Sequence, residues 1–585
     1  MSTMSPPAPE VAAALPTDGD WVARFADEVI AEAERRAPGR PIVCASGISP
    51  SGPIHLGNLR EVLTPHFVAD EIRRRGRDAV HLLSWDDYDR FRRVPAGVDP
   101  AWAAHVGKPL TSVPAPPGSP HANWAEHFKA PLVAALDQLG VEVSAVSQTQ
   151  RYTGGAYTEQ ILLAARERER IDAILGRYRT RRIQGQVAHP GAEEDGSGAA
   201  ADDDGGSAFG YFPYKPYCVR CGRDTTTVTG YDDVTTAMTY VCDDGSTETV
   251  LLRDFRRGKL VWKVDWPMRW AYEGVVFEPS GVDHQSPGSS FVVGGQLVRD
   301  VFGAEPPIGP MYAFVGISGM AKMSSSRGAV PIPLDALQIM EAPLLRWLYV
   351  RRRPNQSITV AFDQEVQRLY DEWDAVARKV ARAPSLGGDL PAGPPAGEVA
   401  GYARSIGTAT RTLESTPHPL PYRTLASVVD VTTGDPEQTL RILRDLDPDD
   451  PVTSLDDVRP RLDRAATWVA TQVPPEQRTH VREAPDVELL AALGGGQRAA
   501  LRLLLDGLDT HWSLEAVTSL VYGVPKVLAG LPPDARPTPE LKAAQREFFA
   551  LLYRLLIGRD TGPRLPTLLL AIGPERIGRL LTPPA

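Results

Sequence analysis

The chain has 585 residues, of which 42% are apolar and 23% charged, an ordinary composition for a globular protein. A chain of this length is too long to fold around one hydrophobic core, so two or three domains are expected. The formal net charge of −10 argues against a protein coated in nucleic acid but permits one basic face. No apolar run reaches the roughly 20 residues that span a bilayer, so no membrane segment is predicted.

Residues 1–20 lack the basic and apolar regions of a secretion signal and are predicted to be a short disordered leader. Four cysteines in so long a chain form no disulfide framework, which favours a reducing environment. We therefore expect a cytoplasmic protein. The sequence leaves the oligomeric state open, with a monomer favoured.

Residues 21–182 have the pattern of alternating strands and helices. Residues 41–46 and 79–85 are short apolar runs typical of strands, and the apolar residues of 59–72 keep helical spacing. Gly76 is expected to end the intervening helix. A strand, a helix and a strand in this order predict parallel pairing through a crossover connection.

Residues 189–210 are acidic and rich in glycine and alanine, and they are predicted to be a disordered surface loop. Residues 211–255 contain cysteines and strand-type runs. An α/β pattern then returns, and residues 341–585 are predicted to be helical. Two stripes of apolar residues at helical spacing support this last prediction, one from Phe362 to Val380 and one within 541–558.

The most informative segment is SGISPSGPIHLGNLRE, residues 46–61, which joins the first predicted strand to the helix that follows it. Ligands bind beyond the carboxyl ends of parallel strands, and small residues such as Gly47 and Ser49 let a ligand approach the backbone. His55 and Asn58 lie three residues apart at the helix start, where backbone amides favour anions. An imidazole and a carboxamide in this position suit a triphosphate whose α-phosphate is under attack.

A second segment, GMAKMSSSRG at residues 319–328, is a glycine-bounded loop with Lys322, three serines and Arg327. Such groups can neutralise the charge that develops on departing pyrophosphate. The first segment resembles the HIGH signature of class I aminoacyl-tRNA synthetases, with residues 55–58 as its tetrapeptide, and the second resembles the KMSKS signature. Ser325 stands where that signature has its second lysine, which leaves Lys322 and Arg327 to carry the positive charge.

Three segments between the two signatures narrow the family: LVWKVDWPMRW (260–270), EPSGVDHQSPGSSF (278–291) and PIGPMYAFVGISG (307–319). They closely resemble the class I lysyl-tRNA synthetases, and the resemblance covers nearly all of the chain after the leader. It implies a Rossmann-like α/β catalytic domain with a parallel sheet over 21–340, which carries an inserted zinc-ribbon-like β segment. It also implies an all-α, anticodon-binding helix cage over 341–585.

The resemblance implies roles for individual residues. His55, Asn58 and Lys322 would be catalytic. ATP would be bound by Pro50, His55, Gly57, Asn58, Gly281, Asp283, Lys322, Met323, Ser324, Ser325 and Ser326, and lysine by Gly47, Ser49, Trp262, His284 and Tyr312. The substrates implied are ATP with Mg²⁺, L-lysine and tRNA(Lys), and the reaction would pass through lysyl-adenylate.

A lysine pocket also favours aromatic faces, which pack on the methylene stem and attract the ammonium group, together with a nearby carboxylate. Asp86, Asp87 and Asp89 are candidates for the carboxylate. A helix N-cap with its first turn is the alternative interpretation of these three residues. Trp262 and Trp266 are either pocket wall or core, with core favoured for Trp266.

Cys218 and Cys221 form a Cys-x-x-Cys pair, and Cys242 follows as a third cysteine. Relatives complete a second pair there, which makes a four-thiolate zinc site. Gly245 occupies the fourth position in this chain, and the neighbouring aspartates are poor substitutes for a thiolate. A zinc site and a metal-free ribbon with ordinary thiols therefore both remain open.

Two other functions remain open. A glutamyl-type synthetase would need a basic pocket, and the aromatic and histidine residues above supply no arginine. A non-catalytic paralogue that binds tRNA or a partner would be expected to lose signature residues, as at Gly245 and Ser325. The intact His55, Asn58 and Lys322 argue against that alternative.

Overall fold

The computed structural model describes residues 15–95, 97–185, 206–207, 209–286, 288–318, 330–382, 395–446, 450–508, 512–532, 535–536 and 538–582. The predictions of a disordered loop over most of 189–210 and of the signature loop at 319–328 therefore fall outside the described residues, as does the predicted disordered leader over 1–14. Residues 15–20 of that leader are described, and there the Arg404 guanidinium donates to the Thr17 carbonyl at 2.6 Å and to the Asp20 carboxylate at 2.8 Å. Within the described ranges, every helix is too short or too polar to cross a bilayer.

The strands, in chain order, are β1 (Ile42–Ile48), β2 (Ala79–Trp85), β3 (Ser144–Ser147), β4 (Gly206–Ser207), β5 (Gly210–Tyr211), β6 (Tyr214–Pro216), β7 (Thr226–Tyr231), β8 (Ala237–Cys242), β9 (Thr247–Leu251), β10 (Gly258–Leu260), β11 (Val275–Phe277), β12 (Ser280–Gly281), β13 (Met311–Tyr312), β14 (Val315–Ile317) and β15 (Ile358–Val360).

The helices are α1 (Trp21–Arg36), α2 (Leu56–Arg74), α3 (Trp124–Gln138), α4 (Gln148–Thr153), α5 (Thr158–Arg166), α6 (Arg168–Gly185), α7 (Trp262–Glu273), α8 (Ser290–Asp300), α9 (Pro333–Ile339), α10 (Ala342–Val350), α11 (Glu365–Arg382), α12 (Ala396–Ile406), α13 (Tyr422–Thr432), α14 (Pro436–Arg444), α15 (Arg461–Gln472), α16 (Val487–Ala492), α17 (Gly495–Leu508), α18 (Leu514–Leu528), α19 (Pro539–Ile557), α20 (Leu565–Ile572) and α21 (Pro574–Leu581).

A four-stranded parallel sheet in the order β11-β1-β2-β3 forms the centre of the first half of the chain. The two predicted strands are confirmed, and they pair in register from Ile42 opposite Ala79 to Ile48 opposite Trp85. The chain moves from β1 towards β3 on one side, and β11 is added later on the other side of β1. The carboxyl ends of β1 and β11 therefore flank the point where the strand order reverses, the usual position of a ligand site.

Helix α2 connects β1 to β2 and confirms the predicted helix. Its residues Leu59, Val62 and Leu63 are fully buried, as expected for an apolar face packed on a sheet. The helix ends at Arg74, and Gly76 follows with a φ of 73°, a backbone conformation that glycine adopts without steric cost. The start of this helix consequently lies at the carboxyl end of β1.

The cysteine-containing stretch forms a three-stranded antiparallel sheet in the order β7-β8-β9. This confirms that the stretch is rich in strands. Its inward-facing residues Val228, Met238 and Tyr240 are buried in a core separate from that of the parallel sheet. The stretch is therefore an insertion with its own apolar packing.

Helices dominate the chain after residue 341, but the expectation of an entirely helical region is wrong in one place. Strand β15 lies within this region and pairs in parallel with β14. Phe362 does not belong to the helical stripe either, because α11 begins only at Glu365. The rest of the stripe is buried as predicted, and the 541–558 stripe is confirmed by α19.

Hydrogen bonds join the helical region to the first half of the chain, including the start of α2. The Tyr349 hydroxyl on α10 donates a hydrogen bond to the Leu56 carbonyl at 2.7 Å. The buried Arg346 guanidinium, also on α10, donates to the Leu139 carbonyl at 2.8 Å and to the Arg404 carbonyl at 2.7 Å. One apolar core runs continuously from Trp21 to Leu581 across both halves.

Candidate active site

A cleft of about 620 Å³ opens at the carboxyl ends of β1 and β11. Its walls come from the β1–α2 connection, α7, the residues after β11, and β13 and β14. The lining includes most of the residues predicted from the sequence: Gly47, Ser49, His55, Gly57, Asn58, Trp262, Gly281, Asp283, His284 and Tyr312. Pro50 is buried next to this lining and is not part of it.

His55 is the N-cap of α2, and its position is fixed by two hydrogen bonds, one to its side chain and one from its backbone. Its Nδ1 atom accepts from the Gly57 backbone amide at 3.0 Å, while the Asn58 side-chain oxygen accepts from the His55 amide at 3.1 Å. Burial lowers the pKa of His55 to about 4, so the ring is neutral at pH 7. With Nδ1 accepting, the proton of the neutral ring resides on Nε2, which makes His55 a hydrogen-bond donor.

Glu61, three residues beyond Asn58 on α2, brings a carboxyl group into the cleft. Its oxygens accept from the Gly47 amide at 3.2 Å and from the Tyr312 hydroxyl at 3.0 Å. Burial raises the pKa of Glu61 to about 8, even though the Gly47 hydrogen bond opposes that shift. The Gly47 amide and the Tyr312 hydroxyl are both neutral, so these two donors do not balance the negative charge that the group carries when it is deprotonated.

A second carboxylate, Glu278, follows β11 directly. It accepts from the indole nitrogen of Trp266 at 3.1 Å and from that of Trp270 at 2.6 Å. Burial raises the pKa of Glu278 to about 7. The Trp266 ring also stacks on Trp262, with 5.1 Å between ring centroids, and meets His284 edge-on at 5.4 Å. Trp266 is thus both a buried packing residue and part of the cleft wall.

The aspartates after β2 differ from one another in their partners. Asp86 binds the Arg269 guanidinium, with 2.5 Å between Oδ1 and Nη1, and Asp89 binds the Lys259 ammonium at 2.5 Å. Asp87 lies away from the cleft, where it accepts from Lys129 at 2.7 Å. Residues 86–95 contain no helix, and the next helical turn begins only at Pro100, so the N-cap interpretation of these three aspartates is wrong.

Arg269 balances several of these acids. It binds Asp265, one turn earlier on α7, as well as Asp86. Burial alone would lower the pKa of Arg269, but the two aspartates outweigh burial and raise it well above its usual value. The only other arginine on the cleft lining of the described chain is Arg92. Arg269 is therefore held as a partner for protein carboxylates.

The signature-loop residues Lys322, Met323, Ser324, Ser325 and Ser326 lie outside the described residues. The described residues on either side of this loop lie at the cleft. Gly316, in β14, is part of the lining, and the Pro331 carbonyl accepts a hydrogen bond from the Leu56 amide at 3.3 Å. Leu56 directly follows His55, so both flanks of the loop are close to the start of α2.

The three cysteines of the antiparallel insertion lie together. Their sulfur atoms are within 4.8 Å of one another, and those of Cys221 and Cys242 are 3.6 Å apart. The Arg220 amide donates to the Cys218 sulfur at 3.4 Å, a contact that favours a thiolate. Gly245 has a φ of 78° and open space around its Cα atom, and it offers no side-chain ligand.

The cleft residues that were not identified from the sequence include Glu61, Arg269 and Glu278. A signal existed for the first, because Glu61 is three residues beyond Asn58 and so shares its helical face. Glu278 directly follows a strand that ends at the reversal of strand order, which is also a recognisable position. The Asp265–Arg269 pair has the common spacing of helical ion pairs, and the contact of Arg269 with Asp86 depends on tertiary structure.

A parallel sheet with a cleft where the strand order reverses, and a neutral imidazole at the adjoining helix start, is typical of α/β enzymes that bind nucleotides. The family model described as tRNA synthetases class I (K) matches residues 19–387. The chain therefore belongs to the class I (K) family of tRNA synthetases.

Curated relatives align over nearly the full length of the chain. A lysine–tRNA ligase of Streptomyces coelicolor is 64% identical over 577 residues, which cover 96% of this chain and 98% of the relative. A lysine–tRNA ligase of Pyrococcus horikoshii is 32% identical over 570 residues, 94% of this chain and 97% of the relative. One of Treponema pallidum is 30% identical over 568 residues, 96% of this chain and 98% of the relative.

Proposed function

We propose that the protein is a lysine–tRNA ligase. It activates L-lysine with ATP to lysyl-adenylate and transfers the lysyl group to the 3′-terminal adenosine of tRNA(Lys) in the cytoplasm. The observation that carries this proposal is the acidic cleft, in which Glu61 and Glu278 are held by neutral donors. The full-length similarity to lysine–tRNA ligases supports the same conclusion.

The charge of the lining favours a cationic amino acid. The carboxylates on the lining of the described chain are Glu61, Asp86, Asp89, Glu273, Glu278 and Asp283, and the arginines are Arg92 and Arg269. Asp86, Asp89 and Glu273 are paired with Arg269, Lys259 and Arg151, whereas Glu61 and Glu278 have neutral donors. The side-chain carboxylate of glutamate would compete with the deprotonated form of these two acids, which is costly in a poorly solvated cleft. A lysine ammonium group would instead stabilise their deprotonated form.

We assign the side-chain ammonium of lysine to Glu61. Asp86 and Asp89 each bind a protein cation already, whereas Glu61 accepts hydrogen bonds from the neutral Gly47 amide and Tyr312 hydroxyl. The indoles of Trp262 and Trp266 offer apolar faces for the methylene stem. Gly47 and Ser49 border the lysine backbone, and His284 completes the wall.

The activation step requires positioning and charge stabilisation. A lysine carboxylate oxygen attacks the α-phosphorus of ATP, a new P–O bond forms, and the bond to pyrophosphate breaks. The Nε2–H group of His55 and the Asn58 side chain donate to the phosphates, which also lie at the positive end of the α2 dipole, while Gly57, Gly281 and Asp283 border the nucleotide. Lys322 of the signature loop would neutralise part of the charge of the departing pyrophosphate, and Mg²⁺ that enters with ATP would supply the remaining positive charge.

In the transfer step, the 2′-hydroxyl of the terminal adenosine attacks the activated carbonyl, and AMP leaves. Neither step needs a covalent nucleophile of the protein. The helical region that begins at α10 is joined to the start of α2 by Tyr349, so it can place a bound tRNA relative to the cleft. We assign the anticodon contact to this region.

The three-cysteine cluster fits three positions of a tetrahedral zinc site, and we propose that it binds zinc without a fourth thiolate. Zinc here would stabilise the antiparallel insertion and would take no part in the reaction. Purified protein should contain about one zinc ion per chain, and Cys221→Ser should lose it. Metal-free protein after purification with zinc in the buffers would contradict the assignment.

The proposed function is tested by charging of total tRNA with each radiolabelled amino acid. Lysine should be the amino acid that becomes acid-precipitable with the tRNA. Charging with glutamate would establish a glutamyl-type enzyme instead. A folded protein that binds tRNA and charges it with no amino acid would be a non-catalytic paralogue.

A further inference from the structure

A second cavity, of about 500 Å³, opens on the helical half of the molecule between α18 and α19. We call it the helical groove, and its lining is Tyr522, Pro539, Lys542, Gln545, Arg546 and Phe549. It lies in the C-terminal helices, outside the cleft described above. The mechanism proposed for amino-acid activation does not use any of these residues.

One face of α19 supplies most of the groove. Lys542, Gln545, Arg546 and Phe549 follow one another at spacings of three, one and three residues, which places them on one side of a helix. The Gln545 amide is buried and donates a hydrogen bond to the Tyr522 carbonyl on α18 at 2.9 Å. This contact holds the two helices together at the groove.

The groove combines aromatic surface with positive charge. Tyr522 is 41% exposed, and its ring meets that of Phe549 edge-to-face with 5.0 Å between centroids. Lys542 and Arg546 are exposed, and in the described part of the chain neither forms an ion pair. By contrast, Arg554, two turns further along α19, is paired with Asp560 at 3.2 Å.

We propose that the helical groove binds one unstacked nucleotide of the tRNA. The base stacks on the aromatic surface of Tyr522 and Phe549, and the adjoining phosphates are bound by Lys542 and Arg546. Single-stranded RNA is generally recognised by such stacking together with cationic contacts to the backbone. This inference rests on the proposed function, because it gives the tRNA a specific contact on the helical half.

The charge and the shape of the groove both favour RNA. The two cations lie one turn apart on α19, next to rings that offer a flat π-surface. An acidic peptide would bind mainly through the cations, whereas a nucleobase would in addition stack on the exposed ring. The contribution of stacking therefore separates the two ligand classes.

The test measures binding of unfractionated tRNA to the full-length protein by filter binding at several salt concentrations. The double variant K542A/R546A should weaken binding by roughly tenfold at low salt and reduce the salt slope by about one to two. The variant Y522A should weaken binding by roughly 5- to 100-fold with the salt slope unchanged. Y522F, which keeps the ring, should bind like the unaltered protein.

R554A is the matched control, because it removes a cation of the same helix that is already paired with an aspartate. It should bind tRNA normally. Unchanged binding in both K542A/R546A and Y522A would overturn the proposal, as would displacement of tRNA by poly-glutamate together with normal binding by Y522A. A thermal transition close to that of the unaltered protein confirms that each variant is folded.

Lysine-dependent pyrophosphate exchange by the unaltered protein is measured in parallel. Its absence would mean that the proposed function fails, whatever the groove variants do. Its presence together with normal tRNA binding by the groove variants would mean that the groove assignment alone fails.

Discussion

The cleft and the helical groove are two binding surfaces of opposite charge on one chain. In the cleft, Glu61 and Glu278 are held by amide, hydroxyl and indole donors, and burial raises the pKa of each. In the groove, Lys542 and Arg546 are exposed to solvent. The net charge of −10 predicts neither surface, so the distribution of charge, and not its sum, indicates which ligand each region binds.

The largest expected effect concerns the start of α2. His55→Ala removes both the Nε2 donor and the N-cap, and we expect lysine activation to fall by about 100- to 1000-fold, as for the loss of one donor to a developing negative charge. Lost capping alone costs about 1 kcal/mol of stability. His55→Asn keeps a capping side chain and so isolates the imidazole. The rate of ATP–pyrophosphate exchange measures lysine activation in both variants, and thermal unfolding is the control for folding. A normal exchange rate in His55→Ala would show that His55 has no role in the reaction.

A smaller effect on lysine activation is expected for Glu61, the cleft acid that is assigned to the lysine ammonium group. Glu61→Gln removes the charge assigned to the lysine ammonium while keeping the shape of the side chain. The KM for lysine should rise by roughly 10- to 100-fold, as for the loss of a hydrogen bond between charged groups, with the KM for ATP little changed. Glu273→Gln is the matched control, because Glu273 also lines the cleft but is bound to Arg151 at 3.0 Å. Equal effects of the two substitutions on lysine would refute the assignment.

The pH dependence of lysine binding follows from the same carboxyl group. Because the pKa of Glu61 is raised to about 8, this group carries a proton in the empty cleft at neutral pH, and lysine must displace that proton. The affinity for lysine should therefore rise with pH between about 6 and 8, by up to tenfold per pH unit, and level off above the pKa. Titration calorimetry measures this affinity. A flat profile in the unaltered protein, or the same slope in Glu61→Gln, would contradict the proposal.

The smallest effect concerns the stability of the helical half. Gly558 ends α19 with a φ of 72°, so Gly558→Ala should lower the free energy of unfolding by about 1 kcal/mol. Gly578 lies inside α21 with open space around it, and Gly578→Ala should instead raise stability by roughly 0.5 to 1 kcal/mol. Thermal unfolding of both variants checks the opposite signs. A stabilised Gly558→Ala would mean that the conformation of this helix end does not matter.

Local patterns were enough to predict β1, β2 and α2, whereas α7, β11, β13 and β14, which form the other walls of the cleft, were not predicted individually. The apolar runs gave the positions of β1 and β2, the helical spacing gave α2, and the segment between them identified His55 and Asn58. What could not be predicted depends on contacts between distant parts of the chain. Glu61 receives its hydrogen bond from Tyr312, and Asp86 is neutralised by Arg269. From the sequence alone, Asp86 was therefore a candidate partner of the ammonium group although Asp86 is paired with Arg269. Glu61, whose hydrogen-bond donors are neutral, was overlooked.

In the helical half, too, contacts between distant parts of the chain could not be predicted from local patterns. Amphipathic stripes predicted α11 and α19, yet β15 was missed because its pairing with β14 joins residues on opposite sides of the signature loop. The helical groove could not be foreseen either, since it needs α18 to lie against α19. Spacing along one helix predicts a shared face and does not predict what that face meets.

The most direct test of the central claim is ATP–pyrophosphate exchange, run with tRNA present and with lysine or glutamate as the amino acid. An acidic cleft with Glu61 as the ammonium partner predicts exchange with lysine and none with glutamate, and a loss of the lysine-dependent exchange at low lysine concentration in Glu61→Gln. Exchange supported by glutamate and not by lysine would contradict the account.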